Sequence, residues 1–137
     1  MNKILGGLIV VLALVVGIAP AFTDCQSQGR ALKTDTGKTV PMKCHWTGIA
    51  EIGVAVPLVT VGAIMAFNRR KNSLMTLGVL GIVLGGMAIA FPNGLIGVCT
   101  MPTMICHSIM KPSLTVFGSL VIVGSLGAMV LSRKAND

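Results

Sequence analysis

The chain has 137 residues, of which 53% are apolar and only 11% are charged. Soluble domains usually carry about 25% charged residues, so this composition excludes an ordinary soluble enzyme and indicates one small membrane domain over residues 1–137. The formal net charge is +7, while aromatic residues make up only 4% of the chain. Because few side chains could stack on bases, and the basic residues stand in short groups between apolar runs, we do not expect nucleic-acid binding.

Four long apolar runs predict four transmembrane helices, at about 4–22, 46–67, 74–91 and 113–132. Each run is close to the ~20 residues that a helix needs to cross the hydrocarbon of a bilayer. The predicted fold is therefore an all-α four-helix transmembrane bundle. Its outer loops are residues 23–45 and 92–112, which form a small cap stapled by disulfides, and its cytoplasmic turn is residues 68–73.

Basic residues near the ends of the spans give the orientation. The turn Arg69-Arg70-Lys71 and the pair Arg133-Lys134 indicate the cytoplasmic side. All four cysteines fall on the opposite side, where an oxidising exterior would allow disulfides. We therefore predict a multi-pass protein of the cell membrane, with both termini in the cytoplasm and both cysteine-bearing loops outside.

The first 21 residues also fit a second interpretation. Lys3, the apolar run after it and Ala19-Pro20-Ala21 resemble a signal peptide with its cleavage site. Cleavage would leave three spans instead of four, and the sequence leaves this alternative open. The cytoplasmic position of the turn at 68–73 is the same in both cases.

Small residues recur at helical spacing in three of the spans. In a bilayer such residues let two helix backbones approach closely. They predict either packing within the bundle or a face for self-association or for a larger membrane partner. The residues are Gly48, Ala55 and Gly62 in the second span, Gly78, Gly81 and Gly85 in the third, and Gly118, Ser125 and Ala128 in the fourth.

The outer loops contain two turn patterns. Threonines and apolar residues around Asp35-Thr36-Gly37 predict a short β-hairpin with Gly37 at positive φ. The run Pro92-Asn93-Gly94 is expected to end the third helix, and Cys106-His107 is expected in the loop before the fourth span. A two-stranded hairpin is marginally stable alone, so we expect it to be anchored at its base.

Cys25, Cys44, Cys99 and Cys106 allow three ways of forming two disulfides. One staple for each loop would pair Cys25 with Cys44 and Cys99 with Cys106. The main rival joins the two loops through Cys44 and Cys106. We expect structural disulfides, each worth about 2–4 kcal/mol to the folded state.

Two chemical roles compete with a structural one for the cysteines. Four spans with two cysteines in each outer loop resemble the bacterial membrane enzymes that pass electrons from thiols to quinone, but this chain lacks their C-x-x-C pair. A copper or zinc site is the other alternative, because thiolate, imidazole and thioether groups bind these metals. Its candidate ligands are Cys44, His45, Met104, Cys106 and His107. We expect no resident cofactor.

Glu51 is the only acidic residue inside a predicted span. An ionisable group within a membrane is by default a candidate for function. Glu51 follows the predicted interface anchor Trp46 by five residues, and a helix that includes Cys44 would place Cys44, Thr47 and Glu51 on one face. The carboxylate is expected either to bond to Thr47, Lys43 or the second loop, or to hold a proton or cation. The predicted functional cap consists of His45, Trp46, Glu51 and His107.

Several stretches resemble an uncharacterised bacterial family of small four-span membrane proteins, catalogued as a domain of unknown function. They are Cys25, the run 42–47 with its Cys-His-Trp-Thr motif, Ala50-Glu51, and the run 96–99 followed by Met104 and Cys106. The first loop is longer here than in that family. The resemblance implies an accessory subunit beside a transporter permease in the lipid bilayer.

The chain contains no Ser/His/Asp arrangement and no phosphate loop. We therefore expect a non-enzymatic accessory or binding subunit, and we leave uncertain whether the chain is an enzyme. The alternatives are a membrane thiol–disulfide oxidoreductase and a protein that handles copper or zinc.

Overall fold

The computed structural model of the chain describes residues 2–23, 32–40 and 43–134. Within these ranges it contains helices α1 (Asn2–Thr23), α2 (Lys43–Phe67), α3 (Lys71–Ala90) and α4 (Lys111–Lys134), and strands β1 (Leu32–Lys33) and β2 (Thr39–Val40). A π-helical turn, Phe91–Leu95, extends α3, and another, Cys106–Met110, leads into α4. All four helices are long and apolar enough to cross a membrane, so the predicted four-span fold is confirmed.

The turn between α2 and α3 is shorter than the predicted 68–73 and contains only residues 68–70. The Asn68 side chain holds it, because Oδ1 accepts a hydrogen bond from the backbone N–H of Arg70 (3.0 Å) and Nδ2 donates to Ser73 Oγ (2.8 Å). This local bonding lets α3 begin at Lys71 although the apolar run begins three residues later.

The regular α-helix α3 ends at Ala90, just before Pro92-Asn93-Gly94 as predicted, but the helical segment does not end there. Pro92 has no N–H to offer the carbonyl of Ala88, but the helix continues as a wider π-helical turn. The backbone N–H groups of Ile96 and Gly97 both donate to the Phe91 carbonyl, at 3.2 and 3.0 Å. Gly97 then ends the helix at φ +82°, a conformation that costs little only for glycine.

Cys106-His107 also lies elsewhere than predicted, in a helical turn and not in a loop. The turn Cys106–Met110 closes through the N–H of Lys111, which donates to the carbonyl of Cys106. Pro112 cannot donate to the carbonyl of Ser108, and the wider turn carries the helix through this position. Both Cys-His pairs therefore open a helix.

The helices form a ring in which α1 packs on α2, α2 on α3, α3 on α4, and α4 on α1. Small residues bring neighbours close. A Cβ added to Gly6 would lie 2.6 Å from the backbone nitrogen of Ala66, and one added to Gly118 would lie 3.0 Å from the carbonyl oxygen of Gly85. A Cβ added to Gly62 would lie 2.9 Å from Cγ2 of Val10 and 3.0 Å from its backbone nitrogen. The structure thus uses the small residues of α2, α3 and α4 for packing within the bundle, while self-association stays a prediction.

Apolar side chains fill the centre of the bundle and also cover its outside. Ile9, Leu58, Leu84 and Leu114 represent the four helices in the buried core. On the outward faces, each helix has at least one valine that is more than half exposed, such as Val11, Val56, Val83 and Val123. Soluble monomers rarely expose so much continuous apolar surface, so these faces fit contact with lipid tails.

The predicted β-hairpin is present, with strands of only two residues each. Lys33 pairs with Thr39 in an antiparallel register. The N–H of Gly37 donates to the carbonyl of Thr34 at 2.8 Å, and Gly37 has φ +77°, as predicted. Residues 33–40 are exposed, so the hairpin contributes little to the core.

Candidate functional site

One end of the bundle, which we call the mouth, joins the end of α1, the start of α2, the end of α3 and the start of α4. Thr47 Oγ1 of α2 donates a hydrogen bond to the Gly97 carbonyl after α3, at 2.8 Å. Across the bundle, the Cys106 thiol donates to the carbonyl of Thr23 at the end of α1, at 3.3 Å. These two contacts hold the segments around the mouth together in pairs.

Cys44 and Cys99 meet at the mouth, with their sulfur atoms 2.7 Å apart. A disulfide bond is about 2.05 Å long, so no disulfide is formed between the cysteines that the structure describes. Neither predicted pairing contains this contact, and Cys25 lies outside the described residues. Sequence reasoning missed it because Gly97, which follows the π-helical turn with positive φ, directs the next residues across the start of α2.

The predicted polar face of α2 is confirmed. Cys44, Thr47 and Glu51 are each fully buried, with 0% of their surface exposed. Their spacing of three and then four residues keeps them on one side of the helix, about 10 Å from first to last by the 1.5 Å rise per residue. This face of α2 therefore carries Cys44, whose sulfur contacts that of Cys99, at one end and the Glu51 carboxylate at the other.

Both carboxylate oxygens of Glu51 are buried and have no hydrogen-bond partner among the residues described. Neither predicted partner on α2 bonds to Glu51, since Thr47 donates its proton to Gly97 and the Lys43 side chain is exposed. Burying an uncompensated carboxylate costs several kcal/mol, and in practice such a group is neutralised. A proton, a cation or a polar group from outside the described residues must therefore accompany Glu51.

The remaining residues of the predicted cap stand around the mouth. The rings of His45 and Trp46 meet edge to face, with centroids 6.0 Å apart and planes at 70°. Trp46 is exposed and so points away from the core, which suits an anchor at the membrane surface. His107 is half-buried, and its Nδ1 atom has no hydrogen-bond partner in the described part of the chain.

The candidate metal ligands do not form a metal centre in the ranges 2–23, 32–40 and 43–134. No group of three or more His, Cys, Asp or Glu side chains there is placed to hold an ion. Cys44 and Cys106 are both buried but contact different partners, Cys99 and Thr23 respectively. Met104 is half-buried and lies in the loop that leads from Cys99 to Cys106.

Replacing Thr47 with valine is expected to lower the free energy of unfolding by about 1 kcal/mol, because the Gly97 carbonyl loses its donor at nearly constant side-chain volume. Reversible unfolding by SDS in mixed micelles measures this change. Thr60→Val is the matched control, since Thr60 is exposed on the same helix and donates only to the carbonyl of Val56. Equal losses in the two variants would show that the Thr47 bond does not stabilise the mouth.

The fold and the mouth together define a class, that of small polytopic membrane bundles with a buried polar end. Within that class, the chain belongs to the family described as domain of unknown function DUF4418, whose model matches residues 3–131. The match covers the mouth and nearly all of the four helices, and it confirms the predicted membership in a family of unknown function. Searches of the curated proteins and of the solved structures gave no match.

Proposed function

We propose that this protein is a non-enzymatic accessory or binding subunit of a membrane complex, and that Glu51 is its binding group. The observation that carries the proposal is the fully buried Glu51 carboxylate, which has no partner in the described residues. A group that costs folding free energy without forming a bond is typical of a functional site.

The ligand that best fits Glu51 is a proton, with a monovalent cation as the alternative. Zinc and calcium require several protein ligands, and the described residues offer no cluster that could supply them. One carboxyl group is sufficient to hold a proton. The neighbouring Thr47 hydroxyl gives its proton to Gly97 and could add at most one neutral oxygen, which is too few for a divalent ion.

The partner is best sought within the membrane, and a transporter permease is the proposed class. Each helix buries only about a third to two-fifths of its most apolar stretch inside the bundle. Most of the remaining helical surface is apolar and fits lipid or another membrane protein. We place the mouth outside the cell and both termini inside, which is supported by the exposed Arg69, Arg70, Arg133 and Lys134 at the opposite end.

Labelling with dicyclohexylcarbodiimide tests the role of Glu51. This apolar reagent partitions into membranes and reacts there with protonated, buried carboxylic acids. The O–H of the acid adds across a C=N bond of the carbodiimide, and an O-acylisourea forms. The protein in liposomes is expected to gain one reagent at Glu51, identified by mass spectrometry. Labelling should slow as the pH rises, because the carboxyl group must carry its proton to react.

The Glu51→Gln variant is the control and should take up no label. A water-soluble carbodiimide should leave Glu51 unmodified while it reacts with exposed acids such as Asp35. Slower labelling in sodium or potassium salts than in a bulky organic cation would assign a metal cation as the ligand. Failure of the apolar reagent to label Glu51 at any pH would overturn the proposal.

Thiol–disulfide exchange is a second candidate, favoured by the 2.7 Å contact between Cys44 and Cys99. In such a reaction the two cysteines would pass two electrons and two protons to a disulfide substrate and become a disulfide themselves. Cys44 is fully buried and Cys99 half-buried, so Cys99 is the thiol that can reach and attack the substrate's disulfide. Repeated turnover with a small dithiol and a disulfide substrate would favour this candidate over the accessory role.

A further inference from the structure

We infer that Cys44 and Cys99 form a disulfide bond in the oxidised protein, and that this bond ties the start of α2 to the loop that leaves α3. The first observation is the sulfur–sulfur distance of 2.7 Å, which needs only a small movement to reach bonding distance. Residue 99 is separated from residue 44 by 55 positions, so the bond would close a long segment of the chain.

A second contact places the same two segments side by side. Thr47, one turn after Cys44, donates to the carbonyl of Gly97, two residues before Cys99. Three residues of helix advance about 4.5 Å, and two residues of extended chain span at most about 7 Å. The segment 97–99 therefore follows the first turn of α2 in the direction opposite to the helix. This register keeps residue 99 beside residue 44.

The inferred bond excludes both pairings predicted from the sequence, because each of them joins Cys44 to a different cysteine. It leaves Cys25 and Cys106 as the complementary pair. Cys106 contacts the carbonyl of Thr23, and Cys25 follows Thr23 by two positions in the sequence. Cys25 itself lies outside the described residues, so the inference rests on Cys44 and Cys99.

The bond requires an oxidant, which we assign to the class of disulfide-bearing thiol oxidants. Cys99 is the more exposed of the two, so its thiolate attacks the disulfide of the oxidant and releases one thiol. The Cys44 thiolate then attacks the sulfur of Cys99 and releases the second thiol. Two electrons and two protons pass from the cysteines to the oxidant, and one sulfur–sulfur bond replaces another.

Cyanogen bromide mapping tests the pairing directly, because cleavage after methionine places each cysteine in a separate fragment. Oxidised glutathione serves as the oxidant, and the acidic cleavage then suppresses exchange between disulfides. The fragments are residues 2–42, 43–65, 88–101 and 105–110, with Cys25, Cys44, Cys99 and Cys106 respectively. We expect fragment 43–65 to be linked to 88–101. A link from 43–65 to 2–42 or to 105–110, or no link at all, would overturn the inference.

A variant that carries both Cys25→Ser and Cys106→Ser isolates the inferred pair. After oxidation it should show no reactive thiol in SDS, and two after reduction. Reduction should also lower its unfolding temperature by about 5 °C or more, since a loop of this length is constrained by the bond. The variant with all four cysteines replaced by serine is the control and should not respond to reductant. Two reactive thiols in the oxidised double variant would contradict the inference.

Discussion

Replacing Gly6 with alanine is expected to lower the free energy of unfolding by about 1–3 kcal/mol, because a single added methyl group has no space between α1 and α2. The new Cβ would lie 2.6 Å from the nitrogen and 2.7 Å from the Cα of Ala66. These are backbone atoms of a helix, so no side-chain rotation can relieve the overlap. The two helices must separate, and the contact between Gly62 and Val10 one turn deeper loosens with them. SDS unfolding in mixed micelles measures the loss.

Gly7→Ala is the matched control, since Gly7 lies on the same helix and an added Cβ would meet no atom within 4 Å. Alanine is favoured over glycine in a helix by about 1 kcal/mol, so this variant should be as stable as the parent or slightly more stable. If Gly6→Ala and Gly7→Ala behave alike, α1 does not pack on α2 as described.

Replacing Glu51 with methionine is expected to stabilise the bundle by about 1–3 kcal/mol, the cost of burying a polar group that lacks a hydrogen bond. Methionine has a similar volume and a flexible side chain, so it can fill the space that the carboxyl group occupies. The gain should appear in SDS unfolding, and the variant should take up no dicyclohexylcarbodiimide. A more stable protein that has lost its labelled group is the pattern expected of a site kept for function.

The Glu51→Gln variant tests whether the change in stability comes from the ionisable carboxyl group or from burying any polar group at this position. Glutamine keeps the shape and still buries an unsatisfied amide, so its stability should remain within about 1 kcal/mol of the parent. A loss of stability in both variants would instead show that the Glu51 carboxyl group bonds to a structural partner, and the proposed binding role would then be wrong.

The composition and the apolar runs were sufficient to predict the four helices. A helix in lipid must satisfy its own backbone, so about 20 apolar residues specify it without knowledge of its neighbours. The errors occurred at helix ends. Pro92 and Pro112 were expected to lie outside helices, but wider turns carry the chain through both positions. Whether a helix continues past a proline depends on the bonds that neighbouring residues can form, which the residue type alone does not specify.

The candidate site, like the fold, could be predicted from the sequence only in part. The face that carries Cys44, Thr47 and Glu51 could be predicted, because helical periodicity places those residues together. The bond from Thr47 to Gly97 and the contact between Cys44 and Cys99 could not, since each joins residues about fifty positions apart. Thr47 was one predicted hydrogen-bond partner of Glu51, but in the structure its hydroxyl donates to the carbonyl of Gly97 instead.

The sequence by itself therefore determined the membrane class, the number of helices, the hairpin and the side of α2 on which the polar residues stand. These properties follow from local rules of length, periodicity and turn chemistry. The tertiary structure decided which cysteines meet, which glycines are confined and that Glu51 lacks a partner in the described residues. Such properties depend on how separate helices and loops are brought together, because a hydrogen bond or a disulfide forms only at the few positions where the packed chain places two groups within about 3 Å.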